Sequence, residues 1–279
     1  MLRQRIITAV LMLAVLLPAL FYSSPEPFCA LTLLLIAAGA WEWGKLNKLS
    51  PGACVALGLI ALLLCAAAWG SGLLHRPSLL LWSIVGVAWV AAGIVLIRRG
   101  VAGWAPVPAP LRVVGGLAAI CLAWLAMAQA RVIGIEFLLS ALVLVWVADI
   151  FAYGFGRAFG RRKLSPAISP GKSWEGVWGG MGGVIVLAFA WVWVDSAVQS
   201  AGGSLYSRLW AFSPWLLVVA AVGMAAMSVV GDLVESLIKR SAGVKDSSGL
   251  LPGHGGVLDR VDALLPTLPL VMMLYCAVT

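Results

Sequence analysis

Residues 214–240, PWLLVVAAVGMAAMSVVGDLVESLIKR, join a long apolar run directly to a charged segment. The apolar part, Pro214–Val230, approaches the length of about 20 residues that a helix needs to cross a bilayer. If the helix continues, Asp232, Glu235 and Lys239 fall at i, i+3 and i+7, on one face. A carboxylate at membrane depth is costly and is usually paired, hydrated or metal-bound. The stretch therefore predicts a membrane-spanning helix that ends in a polar site.

The composition extends this pattern to the whole chain. Of its 279 residues, 62% are hydrophobic and only 11% are charged, with a mean hydropathy of +1.04. Soluble domains carry roughly 25% charged residues, so the bilayer is the natural solvent. We predict an all-α, polytopic integral membrane protein with about nine transmembrane helices. The predicted spans are Ile6–Tyr22, Phe28–Trp41, Ala53–Gly70, Ser78–Ile97, Val113–Ala130, Gly134–Tyr153, Val177–Val194, Pro214–Val230 and Ala263–Val278.

The distribution of cations predicts the orientation of these spans. With a cytoplasmic N-terminus and a retained first span, every Lys and Arg falls on the cytoplasmic side except Arg76, Arg131 and Arg208. This asymmetry is typical of the positive-inside rule. Residues 1–133 are apolar spans with sparse loops, to which we assign no chemistry. Residues 134–279 hold most of the paired acids and bases and form the predicted catalytic region.

Net charge and cysteines exclude some classes of protein. The net charge of +8 indicates cationic loops that meet an anionic lipid or substrate. No nucleic-acid-binding module is recognisable, so nucleic acid is not an expected partner. The five cysteines lie in apolar stretches and form no CxxC pair, which indicates neither a disulfide framework nor a zinc site.

Residues 241–262, SAGVKDSSGLLPGHGGVLDRVD, continue the opening stretch and add the elements of a phosphate site. Asp259 and Asp262 stand at i, i+3 at the mouth of the last span, and carboxylates suit Mg²⁺. The glycines let backbone N–H groups approach phosphate oxygens, and the cations neutralise them. Taken singly, the loop is an ordinary turn, His254 a loop hydrogen-bonder and each lysine a flanking cation. Together they indicate phosphoryl or nucleotidyl transfer near lipid.

A second polar stretch runs from Asp149 to Glu175. Ser173 is a plausible cap for a helix beginning near Trp174, which places Glu175 in its first turn. Lys172 is then either one more inside-facing cation or, with the helix start, a phosphate binder.

These motifs together resemble the phosphatidate cytidylyltransferase (CDP-diacylglycerol synthase) family. SLIKR at 236–240, KD at 245–246 and LPGHGGVLDRVD at 251–262 match the family signature. DIFAYGFGRAFG at 149–160 and SPGKSWEG at 169–176 are similar to a second block. That block departs from the pattern at Phe151, where a smaller residue is expected, and in the basic run 161–163. The resemblance covers the chain from about Gly134 onward.

The resemblance implies transfer of a cytidylyl group from CTP to phosphatidic acid, giving CDP-diacylglycerol and pyrophosphate for phospholipid biosynthesis. It also implies Mg²⁺, membrane lipid as surroundings, a homodimer, and a bacterial inner membrane with the active site facing the cytoplasm. The implied catalytic residues are Asp232, Asp259, Lys239, Arg240, Lys245 and Asp246. The implied substrate-binding residues are Ser169, Lys172, Glu175, His254, Gly255, Gly256, Arg260 and Asp149. The implied metal ligands are Asp232, Asp259, Glu235 and Asp262.

Two other functions remain open at this point. A CTP-dependent polyisoprenol kinase would use similar groups but release CDP in place of pyrophosphate. An ion or solute transporter would bind cations on intramembrane acids, but no inverted repeat is visible and the polar residues cluster at one face.

Overall fold

The computed structural model describes residues 2–198 and 203–279, and this part of the chain is mainly helical. The helices are α1 (Leu2–Phe21), α2 (Glu26–Leu46), α3 (Pro51–Gly70), α4 (Leu79–Arg99), α5 (Ala109–Ile133), α6 (Ile135–Phe159), α7 (Trp174–Val198), α8 (Leu205–Phe212), α9 (Pro214–Ala242), α10 (Leu258–Val261) and α11 (Leu264–Val278). Two short strands, β1 (Lys163–Ser165) and β2 (Ser169–Ser173), form an antiparallel hairpin between α6 and α7.

The predicted polytopic membrane fold is confirmed. Within the described residues, eight helical segments are long and apolar enough to span a bilayer, and Ile6–Phe21 forms a shorter apolar helix. Each overlaps one of the nine predicted spans. Large apolar side chains such as Leu63, Val87 and Val219 are more than half exposed, which suits contact with lipid tails and not with water.

Local sequence signals set several helix ends. Ser50 and Ser78 cap α3 and α4 by accepting hydrogen bonds from the backbone N–H groups of Ala53 and Leu81. Helix α9 ends at Gly243, whose φ of 79° lies in the left-handed region that a glycine adopts without strain. As the opening stretch predicts, α9 runs unbroken from its apolar part into the charged segment.

Helices α6 and α7 pack closely because α7 presents glycines to α6. A Cβ at Gly176 or Gly180 would press on the backbone carbonyls of Ala152 and Ala148. Small residues spaced in this way let helix backbones approach each other in a membrane. Gly183 leaves room for the ring of Phe151, which a Cβ at that glycine would meet at 2.5 Å. The bulkier residue at position 151 is therefore accommodated by its neighbour on α7.

The structure also contains elements that the spans do not predict. The β1–β2 hairpin occupies a Pro- and Gly-containing segment that reads as a loop, and α8 lies between the seventh and eighth spans. The last candidate span, Leu258–Val278, is divided into the short α10 and α11 by a two-residue turn at 262–263. α2, α6 and α7 extend beyond their predicted bounds because polar residues near a membrane surface can still continue a helix.

One end of the bundle gathers the polar segments. Thr8, near the start of α1, donates a hydrogen bond to the carbonyl of Pro252 in the loop after α9 (2.9 Å). On the same loop, Ser247 donates to Glu42, near the end of α2 (3.2 Å). Lys172 in the β hairpin pairs with Asp232 of α9. The hairpin and the loop, 70 and more residues apart in places, therefore face the same side of the bundle.

Candidate active site

Lys239 lies at the centre of the site, between two carboxylates. Its Nζ is 2.5 Å from Glu235 Oε2, one turn earlier on α9, and 2.6 Å from Asp259 Oδ1 on α10. All three side chains are largely buried, with exposed fractions of 12%, 6% and 5%. A buried ammonium between two acids offsets charge that would otherwise be costly to bury. The spacing of Glu235 and Lys239 on one helix face was predicted, and the structure confirms it.

Asp259 also organises the loop that precedes it. Its Oδ2 accepts hydrogen bonds from the backbone N–H and the hydroxyl of Ser247 and from the N–H of Gly256, each 2.8 Å long. With Lys239 on Oδ1, the carboxylate is engaged by four protein donors. Asp259 therefore holds the loop in shape, in addition to any role towards a ligand.

Asp232 forms the more open part of the site. Its Oδ2 lies 2.6 Å from Lys172 Nζ of β2, and its Oδ1 accepts a hydrogen bond from the Ser236 hydroxyl (3.1 Å). A third of the Asp232 side chain is exposed, against 5% for Asp259. Asp149 on α6 and Asp262 after α10 lie within electrostatic range of Asp232 and Lys172. The structure thus brings together residues of α6, β2, α9 and α10 that sequence reasoning had grouped.

The glycine-rich segment forms a tight turn beside Asp259. The Leu251 N–H donates a hydrogen bond to the Gly255 carbonyl (2.8 Å) in an isolated bridge, and Gly255 has a φ of 82°, in the left-handed region. A Cβ at Gly256 would overlap the Ser247 hydroxyl and a carboxylate oxygen of Glu42. Both glycines are therefore required by geometry, whether or not their N–H groups also bind phosphate.

His254 and Arg260 are linked across this turn. The Arg260 guanidinium donates two hydrogen bonds to the His254 carbonyl, at 3.0 and 2.6 Å. Among the described residues, no hydrogen bond reaches the buried Nδ1 of His254. The predicted phosphate binder Arg260 is thus partly committed to the loop backbone.

Glu42 is a site residue that sequence reasoning missed. It lies on α2, is 0% exposed, and accepts hydrogen bonds from the N–H groups of Val257 (2.9 Å) and Leu258 (2.8 Å). The hydroxyls of Ser247 and Ser248 also donate to it. The one available signal was a lone acid between Trp41 and Trp43, directly after a predicted apolar span, at a depth where an unpaired charge is costly.

Other predicted site residues lie outside this cluster of contacts. Arg240 donates to the Val244 carbonyl, and Lys245 and Asp246 are exposed at the start of the loop. Ser169 pairs with Ser165 in the hairpin register. No contact in the structure tests their predicted roles, which stay predictions.

The predicted helix start at α7 is confirmed, but Glu175 faces the chain itself. The Ser173 hydroxyl accepts from the N–H of Gly176, as a cap does (3.2 Å). The Glu175 carboxylate accepts from the N–H groups of Arg161 and Arg162. A pocket of about 710 Å³ opens here, lined by Ala158, Phe159, Gly160, Arg161, Arg162, Trp174, Glu175 and Trp178.

The carboxylates of the site suit a metal cation that takes its remaining coordination from substrate and water. Within the described part of the chain, no three His, Cys, Asp or Glu side chains are already arranged around a metal position. However, Asp149, Asp232, Glu235, Asp259 and Asp262 outnumber the two lysines that pair with them. Such an excess of acid attracts a divalent cation, and Mg²⁺ characteristically takes one or two carboxylates together with water and phosphate oxygens.

Comparison with known proteins relates the whole chain to one family. The sequence model of the cytidylyltransferase family matches residues 3–278. The chain is 37% identical to the phosphatidate cytidylyltransferase of Pseudomonas aeruginosa, across 99% of this chain and 98% of that protein. It is 33% identical to the Haemophilus influenzae protein of the same name, across 99% of both. A Staphylococcus epidermidis protein with that name is 40% identical across 52% of this chain.

The sequence motifs resemble the family only from about Gly134 onward, and these matches extend the similarity to the rest of the chain. The two long alignments include the N-terminal half, where sequence motifs gave no signal and where Glu42 lies.

Proposed function

Since the chain belongs to the cytidylyltransferase family, we propose that it transfers the cytidylyl group of CTP to phosphatidic acid for phospholipid biosynthesis. The products are CDP-diacylglycerol and pyrophosphate. The observation that carries this function is the alignment of phosphatidate cytidylyltransferases over 99% of the chain. The family assignment made from the motifs is thereby confirmed. The chain is an integral membrane enzyme.

The chemistry requires charge control more than proton transfer. A phosphate oxygen of phosphatidic acid forms a bond to the α-phosphorus of CTP, and the bond to the pyrophosphate oxygen breaks. The attacking oxygen is already ionised at neutral pH, so no strong general base is needed. What the protein must supply is positioning of two anions and stabilisation of the leaving pyrophosphate.

The two lysines differ in their suitability for this task, although each pairs with a carboxylate. Lys172 is a quarter exposed and can exchange its contact with Asp232 for a phosphate oxygen. Lys239 is more enclosed, between Glu235 and Asp259. It is better placed to hold those two carboxylates than to bind a substrate phosphate. We assign Lys172 to substrate phosphate and Lys239 to the internal order of the site.

Mg²⁺ is the proposed cofactor, with Asp232 as the acid most available to it. Asp232 and Asp259 were both predicted as catalytic residues and metal ligands. The Asp232 side chain is the more exposed of the two, whereas the Asp259 carboxylate is engaged by four donors. Asp259 and Glu235 join the metal shell only if Lys239 leaves one of them. When bound, the metal would neutralise triphosphate charge and stabilise the pyrophosphate leaving group.

The pocket at the start of α7 suits the lipid substrate. Arg161 and Arg162 offer positive charge, while Phe159, Trp174 and Trp178 offer apolar surface. Trp and Arg side chains are typical of membrane interfaces that hold anionic headgroups. Lys172, two residues before Trp174, connects this pocket to Asp232.

The site faces the cytoplasm of a bacterial inner membrane in our proposal, because the cation-rich segments belong to the polar end of the bundle. Cytoplasmic CTP and a membrane lipid would meet there. The homodimer stays a prediction of the family resemblance.

The decisive experiment uses the full chain purified in detergent, with CTP, Mg²⁺ and phosphatidic acid. We expect CDP-diacylglycerol, detected by its mass, and one pyrophosphate per product. Release of CDP with a polyisoprenol acceptor would instead identify the kinase alternative. Absence of both products, with a folded protein, would contradict the proposed function.

A further inference from the structure

Glu42 stands in a part of the chain to which neither motif nor mechanism assigns a role. Its carboxylate is 0% exposed on a membrane-spanning helix, where a charge must be compensated to persist. The compensation comes from donors within residues 247–258, more than 200 positions later in the chain. The side chain therefore does not serve its own helix but holds a distant loop.

The same loop reaches Asp259 through a shared group. The Ser247 hydroxyl lies 3.2 Å from Glu42 Oε2 and 2.8 Å from Asp259 Oδ2. A hydroxyl carries one proton, so it can donate fully to only one of these carboxylates at a time. Any change at Glu42 therefore alters the hydrogen bonding available to Asp259.

The space between the two acids leaves little freedom for the loop. Gly256 donates its N–H to Asp259, and a Cβ at this position would overlap both the Ser247 hydroxyl and Glu42. The next two residues, Val257 and Leu258, donate their N–H groups to Glu42. Three successive backbone amides are thus divided between the two carboxylates, one to Asp259 and two to Glu42, and the loop is held from both sides.

We propose that Glu42 is a positioning residue of the transferase site: from α2 it fixes the loop 247–258 and, through Ser247, the place of Asp259. This inference rests on the proposed function for its kinetic consequences. It gives the N-terminal half a part in catalysis without direct contact with the reacting atoms.

The test is Glu42→Gln, which keeps the shape but turns an amide N–H₂ towards donors. We expect catalytic efficiency for CTP to fall by about tenfold or more, with a raised KM for CTP. The KM for phosphatidic acid should stay within about twofold, since that substrate is assigned to the hairpin side. A merely structural loss would reduce the amount of active enzyme and leave both KM values unchanged, and that result would overturn the proposal.

Asp195→Asn is the matched control. Asp195 is also a buried acid, 5% exposed, that accepts hydrogen bonds from two serine hydroxyls, those of Ser204 and Ser207. It lies near the far end of α7, about 30 Å from its start at 1.5 Å per residue. This variant should leave both KM values unchanged.

Two further measurements keep the inference testable. Hydrogen exchange without substrate should show faster exchange at Val257 and Leu258 in Glu42→Gln, whatever reaction the protein performs; native protection there would contradict the positioning role even if the proposed function failed. If Glu42→Gln does not fold, Ser248→Ala removes a donor to Glu42 that does not bond Asp259. It should raise the KM for CTP by about threefold, and a native KM would overturn the proposal.

Discussion

At the scale of single residues, Asp232 and Asp259 separate into an open and an enclosed acid. We expect Asp232→Asn to lower Mg²⁺-dependent turnover by about 100-fold or more without changing thermal stability, since its side chain is a third exposed. Asp259→Asn should abolish turnover and also lower the melting temperature, because four donors lose their charged acceptor. Thermal unfolding and product assays on both variants check this; normal rates in either variant would remove that aspartate from the site.

Replacing Lys172 distinguishes a role in phosphate binding from a role as one of the cations that set the orientation in the membrane. Replacing Lys172 by Met removes the partner of Asp232 and a candidate phosphate ligand, so catalytic efficiency should fall by about tenfold or more. Lys163→Met, an exposed cation in the same hairpin, is the control and should keep native kinetics. Equal, small effects of the two changes would show that Lys172 contributes only positive charge to its end of the helix bundle.

The residues predicted from sequence either lie on one helix face or near their partners in the chain, or, like Lys172 and Asp259, belong to the motifs of the family. Asp232, Glu235 and Lys239 follow from helical spacing, and the Ser173 cap follows from the residue types around it. Glu42 could not be assigned a role in this way, because its donors lie 205 and more positions away. Nothing in helical periodicity encodes such a contact.

At the scale of elements, the close packing of α6 and α7 sets the position of the β hairpin and hence of Lys172. We expect Gly180→Leu to lower both the melting temperature and activity, since a side chain there presses on the Ala148 carbonyl. Gly182→Leu is the matched control, because a Cβ at Gly182 meets no atom within 4 Å. The two variants, compared by thermal unfolding in one detergent, should differ clearly; similar melting temperatures would show that the glycine contact is not needed.

The elements that sequence predicted well are the long apolar ones. A run of about 20 apolar residues has few alternatives to a membrane-spanning helix. The β1–β2 hairpin was missed because it is short and contains Pro and Gly, and its pairing depends on the two helices that hold its ends. The break between α10 and α11 coincides with Pro266, which has no N–H to donate to the carbonyl of Asp262, four residues earlier.

At the scale of the whole molecule, the site requires its segments on one face of the membrane. Reporters placed after Lys48, Arg99, Lys163 and Lys245 should be accessible from the cytoplasm, and reporters near His75 and Arg208 should not. Labelling of single-Cys variants in a chain whose five native cysteines are replaced measures this. Opposite accessibility of positions 163 and 245 would contradict the single-site architecture, since Lys172 and Asp232 are in contact.

The four hydrogen bonds that the Glu42 carboxylate accepts have a consequence for the synthesis of the protein. A ribosome adding about 5–20 residues per second delivers Ser247 roughly 10–40 s after Glu42. During that interval α2 carries a carboxylate whose four final donors have not yet been synthesised. A nascent chain that terminates before Ser247 can never supply them, so the hydrogen bonding of this early carboxylate waits for the synthesis of residues 247–258.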